Sequence, residues 1–233
     1  MQTRDTSIVQ ELAIALLAAV ALINQAIAAD IVLTPPPGGA VTVAGAIKSP
    51  DGTTITPPCF DPNNRFTNCG DGTVYDKQTG LMWEKKLASG NAACTDVTQA
   101  NRSARCQQNA YTWSEATSFT EPTGTLYSDF LEKLNDLKTP NDGTATPCFA
   151  GYCDWRIPTI GELRSILLAP NPTCPSFPCI DPIFGPTQLA DYWSSSSLAS
   201  NPNQAWLVSL LNGDVSILFK TSTTSARAVR SGR

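Results

Sequence analysis

The segment RFTNCGDGTVYDKQTGLMW, residues 65–83, decides how the fold begins. It alternates short β-prone runs with turn residues, in the order Arg65-Phe66-Thr67, Asn68-Cys69-Gly70-Asp71-Gly72, Thr73-Val74-Tyr75, Lys77-Gln78-Thr79-Gly80 and Leu81-Met82-Trp83. Runs of β-branched and aromatic residues separated by Gly-rich and Asn-rich turns are typical of β-hairpins. The segment therefore predicts two hairpins in series. Turn chemistry also explains Asp71 and Asp76, which lack the spacing of a calcium-binding loop.

Helix starts are indicated by two capping boxes, in which a Thr oxygen and a Glu carboxylate each bind a free backbone N–H. Thr112-Trp113-Ser114-Glu115 predicts one helix. Thr159-Ile160-Gly161-Glu162 predicts another, which runs through Leu167 and stops before Pro170. Between them, residues 129–138 predict a further helix with one buried face, formed by Phe130, Leu131, Leu134 and Leu137.

The C-terminal part of the sequence returns to strands. Apolar residues alternate on both sides of Asn212-Gly213, namely Trp206, Val208 and Leu210 before it and Val215, Ile217 and Phe219 after it. An Asn-Gly pair in this setting is the strongest short hairpin signal. Residues 226–230 predict a closing strand. Strands, then helices, then strands indicate an α+β fold.

The N-terminus has the pattern of a secretory leader. Residues 12–23 form an apolar run that is shorter than the roughly 20 residues needed to span a bilayer. Ala26-Ile27-Ala28 supplies a cleavage pattern, so residues 1–29 are predicted to be a signal peptide, with retention as an anchor as the alternative. We expect no transmembrane span after leader removal. Residues 30–58 are rich in Pro and Gly and predict a stalk or linker, with one short strand at residues 41–43. Residues 59–233 predict the globular domain.

All eight cysteines lie in the predicted domain and fall into local couples, Cys59 and Cys69, Cys94 and Cys106, Cys148 and Cys153, Cys174 and Cys179. An exported chain meets an oxidising environment, so an even number of cysteines predicts a disulfide framework. Sequence alone permits about 105 pairings of eight cysteines. We predict pairing within each couple, because each couple brackets a loop rich in Pro, Gly or Asn. A zinc site is disfavoured, since the chain has no C-x-x-C spacing and no His.

Charge and composition restrict the function classes. The net charge is -4, and the basic residues are scattered, which argues against nucleic acid as a partner. The tightest basic pair, Lys85-Lys86, is interpreted as a solvated strand end rather than a binding patch. Together with the leader and the cysteines, this predicts an extracytoplasmic location, in the periplasm, at the cell surface or in the medium.

Several blocks resemble a bacterial domain family that also forms the C-terminal part of the Legionella collagen-like adhesin. The resemblance covers about residues 65–230 and rests on blocks in the same order, which are Gly70–Val74 with Thr79–Trp83, Trp113 with Glu115-Ala116, Gly151–Thr159 with Glu162-Leu163, Tyr192–Ser195, and Ala205-Trp206 with Asn212-Gly213 and Arg227–Arg230. It implies a C-type-lectin-like fold, similar also to the formylglycine-generating enzymes. We therefore expect a twisted antiparallel sheet with two or three helices and long disulfide-stapled loops.

The resemblance also implies an adhesin-like function. The adhesin relative is an exported, oligomeric binder of sulfated polysaccharides, and a homo-oligomer is compatible with the present chain. Two departures separate the chain from that relative. It has no collagen-like repeat, and from residue 59 onward it has 14 basic against 16 acidic residues. The second departure argues against recognition of polyanionic sugar.

Candidate ligand residues lie in the predicted loop 200–204 before Trp206. Asn201, Asn203 and Gln204 supply short amides beside a rigid Pro, although Asn-Pro is also an ordinary turn. Asp154-Trp155-Arg156 is interpreted as architectural rather than as a ligand site. Trp83, Trp113, Trp193 and Trp206 are expected to lie mainly in the core.

No catalytic or metal site and no cofactor is predicted. The serine run 194–197 lacks a base, because the chain has no His, and is interpreted as a hydroxyl-rich strand. The related oxidative enzymes use cysteines in their closing segment, and residues 192–233 contain none. The sequence therefore predicts a non-catalytic binding module for a glycan or a protein surface. The alternatives are a structural or assembly subunit of a surface appendage or envelope complex and, least favoured, an oxidative enzyme.

Overall fold

The structure is a computed structural model that describes residues 47–48, 54–55, 59–116, 118, 120–137, 147–169 and 173–232. The predicted signal peptide and the strand predicted at residues 41–43 lie outside the described residues and stay predictions. The compact unit that contains the described residues begins at Ala46. Within the predicted stalk, β1 (Ile47–Lys48) pairs with β2 (Thr54–Ile55), a strand pair that the sequence did not indicate.

The first large sheet is built from the segment that opens the domain. β3 (Phe66–Asn68), β4 (Thr73–Asp76) and β5 (Leu81–Glu84) form two consecutive antiparallel hairpins, as predicted. The closing strand β11 (Val229–Ser231) pairs with β5, which gives the order β11-β5-β4-β3. The predicted closing strand, residues 226–230, starts three residues and ends one residue too early, and Val229 also bonds the backbone of Arg156 on its other side.

The second large sheet is antiparallel with the order β7-β8-β9. Its strands are β7 (Asp191–Leu198), β8 (Asn201–Ser209) and β9 (Val215–Phe219). The predicted Asn-Gly hairpin between β8 and β9 is confirmed, with Gly213 at φ +84° in the left-handed region that favours glycine. A small pair joins β6 (Tyr111–Thr112) to β10 (Thr223–Thr224).

Two short helices are present among the described residues. A π-helical turn over Leu126–Leu131 leads into α1 (Glu132–Asn135), so this helix starts earlier and ends sooner than predicted. Leu137 lies beyond it and is 67% exposed, because Asp136 is already extended and accepts a hydrogen bond from the Cys148 backbone. The second helix, α2 (Ile160–Ser165), has the predicted Thr159–Glu162 capping box.

The helix predicted at Thr112 is absent, and that prediction was wrong. Tyr111 and Thr112 form β6, and the N–H groups of Trp113 and Ser114 both donate to the Lys220 carbonyl, at 2.8 and 2.9 Å. These donors are therefore satisfied by a distant segment instead of by a local cap. Burial of Trp113 against the core outweighs the local capping preference.

Aromatic side chains fill two hydrophobic cores. One contains Trp113, Trp155 and Trp193 with Phe130 and Phe149, and lies against one face of the second sheet. The other contains Trp83 and Phe184, with α2 contributing Leu163. The fold is thus α+β, rich in strands and poor in helix.

Disulfides join the eight cysteines in the four local pairs that the sequence predicts. Each closes a short segment of chain, with a sequence separation of 5 to 12 residues. Where the chain is described, no helix combines the length and the apolar character that a membrane crossing requires.

Candidate ligand-binding cleft

A cleft of about 450 Å³ opens where three chain segments meet. The segments are the β3–β4 turn, the stretch that follows β5, and the polar loop after it. The residues that line the cleft are Asn68, Gly70, Asp71, Gly72, Lys85, Lys86, Leu87 and Arg105. Its volume lies within the range of roughly 300–1,000 Å³ that small-molecule sites occupy.

Backbone hydrogen bonds and disulfides hold the three segments in place. The Lys85 N–H donates to the Gly72 carbonyl at 2.9 Å, and the Leu87 N–H donates to the Arg105 carbonyl at 2.8 Å. Cys69 and Cys106 stand next to lining residues and are bonded to Cys59 and Cys94. The cleft is therefore built on rigid segments, which lowers the entropy lost on binding.

Arg105 forms one wall of the cleft. Its guanidinium lies over the Phe149 ring at 4.5 Å, and its Nε donates to the Lys85 carbonyl at 3.0 Å. The guanidinium also packs against Gly72, where a Cβ would lie 2.5 Å from Nη2. Gly72 has φ +91°, a backbone conformation that favours glycine.

Lys86 lies under the cleft and not in solvent, so the interpretation of Lys85-Lys86 as a solvated strand end was wrong for Lys86. Its side chain is buried, and Nζ lies 3.0 Å from Oε1 of the fully buried Glu84. Burial lowers the pKa of Lys86 to about 8, with further lowering by Arg227 and Arg105, and Glu84 opposes this shift. Pairing with Glu84 is what makes a buried ammonium tolerable here.

The charged residues that line the cleft are mostly cationic, although the chain is acidic. They are Lys85, Lys86 and Arg105 against one carboxylate, that of Asp71, and the charge of Lys86 is balanced by the buried Glu84. The Asp71 carboxylate caps its own turn by accepting from the Thr73 N–H at 2.9 Å and from the Thr73 hydroxyl at 2.7 Å. Lys85 is half-exposed and packs its aliphatic chain on Gly185. Lys85 is thus the most exposed of the three cationic residues that line the cleft.

The ligand residues predicted from the sequence lie elsewhere, in β8 and not in a loop. Asn201 begins this strand, and its Nδ2 donates to Gln204 Oε1 at 3.2 Å, while its Oδ1 accepts from the Asn203 N–H at 3.3 Å. The placement in a loop was wrong, because Asn201–Gln204 continue the pairing of β8 with both neighbouring strands. Their role as ligand residues stays a prediction.

Trp206 is half-buried, whereas the other three tryptophans of the prediction are buried. It pairs with Ile217 of the outer strand β9, which is itself 40% exposed. Apolar residues alternate also in a strand that is covered on only part of one face. The alternation in the sequence therefore overestimated the burial of Trp206.

The other motifs have structural roles. Asp154 Oδ1 accepts from Arg230 Nε at 2.6 Å, Trp155 is buried, and Arg156 pairs bidentately with Glu162. In the serine run, the Ser194 hydroxyl donates to the Trp206 carbonyl at 2.7 Å, and Ser196 Oγ accepts from the Ile160 N–H at 3.0 Å. Among the described residues, no group of three His, Cys, Asp or Glu side chains is arranged to hold a metal ion.

These observations define a disulfide-stapled α+β domain with a polar cleft that two of the disulfides flank. The chain belongs to the Lcl C-terminal domain family, whose model matches residues 72–230. The match confirms the resemblance inferred from the sequence blocks. The search of curated proteins finds no match.

Proposed function

We propose that the protein is an exported, non-catalytic recognition module that binds a glycan in the cleft. The observation that carries this proposal is the convergence of Lys85, Arg105, Asp71 and Asn68 on a concave site stapled by two disulfides. Amide, carboxylate and guanidinium groups are suited to the hydroxyl groups of a sugar. The excess of cationic side chains favours a sugar that carries an acidic group.

Export is supported by the disulfides and by the leader pattern of residues 12–28. Four disulfides form and persist in an oxidising compartment, outside the reducing cytosol. Absence of catalysis is supported by the lack of any His in the chain and by the backbone bonds of the Ser194 and Ser196 hydroxyls. All eight cysteines are paired, which leaves no thiol for oxidative chemistry.

The finer fold assignment is part of the same proposal. Membership of the family and the antiparallel sheets support a C-type-lectin-like fold, in which loops on a rigid scaffold carry the binding site. The cleft is consistent with it, since turns and a stapled loop line most of its wall.

A glycan array probed with the processed, oxidised protein tests the function. We expect binding to a restricted set of sugars, enriched in those with a carboxylate or sulfate group. Lys85→Glu should abolish this binding, whereas Lys77→Glu, the same charge change in the β4–β5 turn, should leave it intact. A variant with Asn201→Ala and Gln204→Ala tests the residues predicted from the sequence. If that variant loses binding while Lys85→Glu retains it, the cleft is not the site.

The alternative function, an assembly subunit, is favoured by one separate observation. The outer strand of the second sheet, β9, pairs on one side only within the part of the chain that the structure describes, and it has an exposed apolar row. Binding of envelope proteins in the absence of any glycan binding would support this alternative.

A further inference from the structure

β9 is the outer strand of the second sheet, and no strand among the described residues pairs with its other side. It reads Val-Ser-Ile-Leu-Phe, without charge or proline, and it pairs with β8 in an uninterrupted register. Its counterpart at the other edge, β7, is broken by register shifts between Trp193 and Leu198. Folded proteins normally protect open edges with charges, prolines or bulges, because a flat apolar edge pairs with other strands.

The backbone of β9 presents alternate residues to the open side. The Lys220 N–H donates to the Asn203 carbonyl at 2.9 Å, and the Ser209 N–H donates to the Asp214 carbonyl at 2.8 Å. In an antiparallel pair these bonds recur at every second residue, so the even-numbered residues of β9 bond to β8. The backbone groups of Val215, Ile217 and Phe219 therefore face outward, although the Phe219 carbonyl already accepts from the Ser222 N–H.

The side chains of the same three residues form an exposed apolar row. Val215 is 41%, Ile217 40% and Phe219 53% exposed. They share one face of the sheet, since their partners in β8 are Val208, Trp206 and Gln204. The open edge and the apolar row thus coincide in one short strand.

We propose that a second copy of this chain pairs with β9 through its own β9, antiparallel and centred on Ile217. The Ile217 of each copy then exchanges two hydrogen bonds with that of the other copy. The Phe219 N–H of each copy donates to the Val215 carbonyl of the other. The two second sheets join into one continuous sheet across a two-fold axis, the self-complementary arrangement of homodimers.

Three features of β9 favour a second copy of this chain as its partner: the register, the chemistry of the strand and its length. A register centred on Ile217 pairs all three outward-facing residues, and a shift by two residues in either direction loses at least one pair. The edge requires a short uncharged strand with alternating apolar residues, and β9 itself is such a strand. At the strand ends the backbone of Asp214 lies opposite that of Lys220 of the second copy, and because the Lys220 side chain is buried over Trp113 in its own copy, no like charges meet. Five residues cover far less than the roughly 800 Å² per partner of a stable interface, so the dimer is weak and depends on concentration.

Sedimentation velocity of the processed protein from about 10 µM to 1 mM, at the upper end of which a weak pair is populated, tests the dimer. We expect the sedimentation coefficient to rise from that of a monomer toward that of a dimer. Ile217→Lys should weaken the association at least tenfold. Val97→Lys, the same substitution at a side chain that is 92% exposed in the polar loop, should not weaken it.

Amide hydrogen exchange of the unmutated protein supplies the second measurement. Exchange at Ile217 and Phe219 should slow as the concentration rises, while Ser216 and Leu218, already bonded to β8, should not change. A monomer throughout the range, or an assembly that persists in Ile217→Lys and leaves these amides unchanged, would overturn the proposal. Neither outcome bears on glycan binding, because no β9 residue lines the cleft.

Discussion

Lys86 and Glu84 carry opposite charges in the interior, with Nζ and Oε1 3.0 Å apart. Removing one member of a buried ion pair leaves the other charge without compensation, which costs about 3 kcal/mol or more. We therefore expect Glu84→Gln to lower the free energy of unfolding by roughly this amount in urea titrations. Arg156→Gln breaks the exposed pair with Glu162 and should cost less than about 1 kcal/mol. Equal small losses in the two variants would show that Glu84 does not stabilise the buried ammonium of Lys86.

The pH dependence of stability provides a second test at this residue. Because the pKa of Lys86 falls from 10.5 to about 8 on folding, the unfolded chain binds more protons between these values. The free energy of unfolding should rise as the pH passes through 8, by at most about 1.4 kcal/mol per pH unit, and should not change with the titration of this group below about pH 7.

The useful window for that measurement ends before pH 10. Burial raises the pKa of Tyr111 and Tyr127, so the unfolded chain loses these protons first and stability falls at higher pH. Urea titrations at pH 8, 8.8 and 9.5 should therefore show the rise in the native protein. The double variant Glu84→Leu with Lys86→Met should show a smaller rise, because it lacks Lys86 but keeps Lys220, whose pKa burial also lowers. A flat profile for the native protein would contradict the assigned environment of Lys86.

At the scale of elements, the two capping boxes of the sequence have different outcomes. Glu162 accepts from the Thr159 N–H at 2.8 Å and starts α2, whereas Glu115 is exposed at the end of an extended segment. Glu162→Ala should lower the free energy of unfolding by about 1 kcal/mol, and Glu115→Ala should change it by less than about 0.5 kcal/mol. Thermal melts of the two variants check this difference. A comparable loss in both would mean that Glu115 also caps a helix.

Local sequence determines the hairpins well, because turn residues and alternation act over a few positions. Gly72, Gly80 and Gly213 all adopt positive φ in the turns where the sequence has glycine after Asp, Thr or Asn. The helix at Thr112 failed because its N–H donors bond Lys220, a residue more than a hundred positions away. A local sequence pattern cannot indicate hydrogen bonds to a segment that is this distant along the chain.

Only part of the cleft could have been predicted from the sequence. Gly70-Asp71-Gly72 and Lys85-Lys86 flank the ends of adjacent hairpin strands, so the register of β4 and β5 could have brought them together. Nothing in the spacing indicates Arg105, which reaches the cleft through the parallel bridge between Leu87 and Cys106. Glu84 and Lys86 are two positions apart, a spacing that places both side chains on one face of a strand. This spacing was the signal in the sequence for their ion pair.

At the scale of the whole molecule, all disulfides should contribute to stability, but only those beside the cleft should affect glycan affinity. Replacing Cys94 and Cys106 by Ser removes a crosslink next to Arg105 and should cost roughly 3 kcal/mol, with a loss of glycan affinity of at least tenfold. Replacing Cys174 and Cys179 by Ser should cost roughly 2 kcal/mol and leave affinity unchanged, because that loop does not line the cleft. Denaturant titration and calorimetric binding measure the two effects. Equal glycan affinity in the two variants would show that binding in the cleft does not depend on the Cys94–Cys106 disulfide.

The most direct measurement follows backbone amide shifts by NMR while a glycan selected from the array is titrated into the oxidised protein. The account predicts the largest shifts at Gly70, Gly72, Lys85 and Arg105, with saturation at a single dissociation constant. Shifts confined to residues 201–204, or no saturable shifts with any glycan of the array, would contradict it.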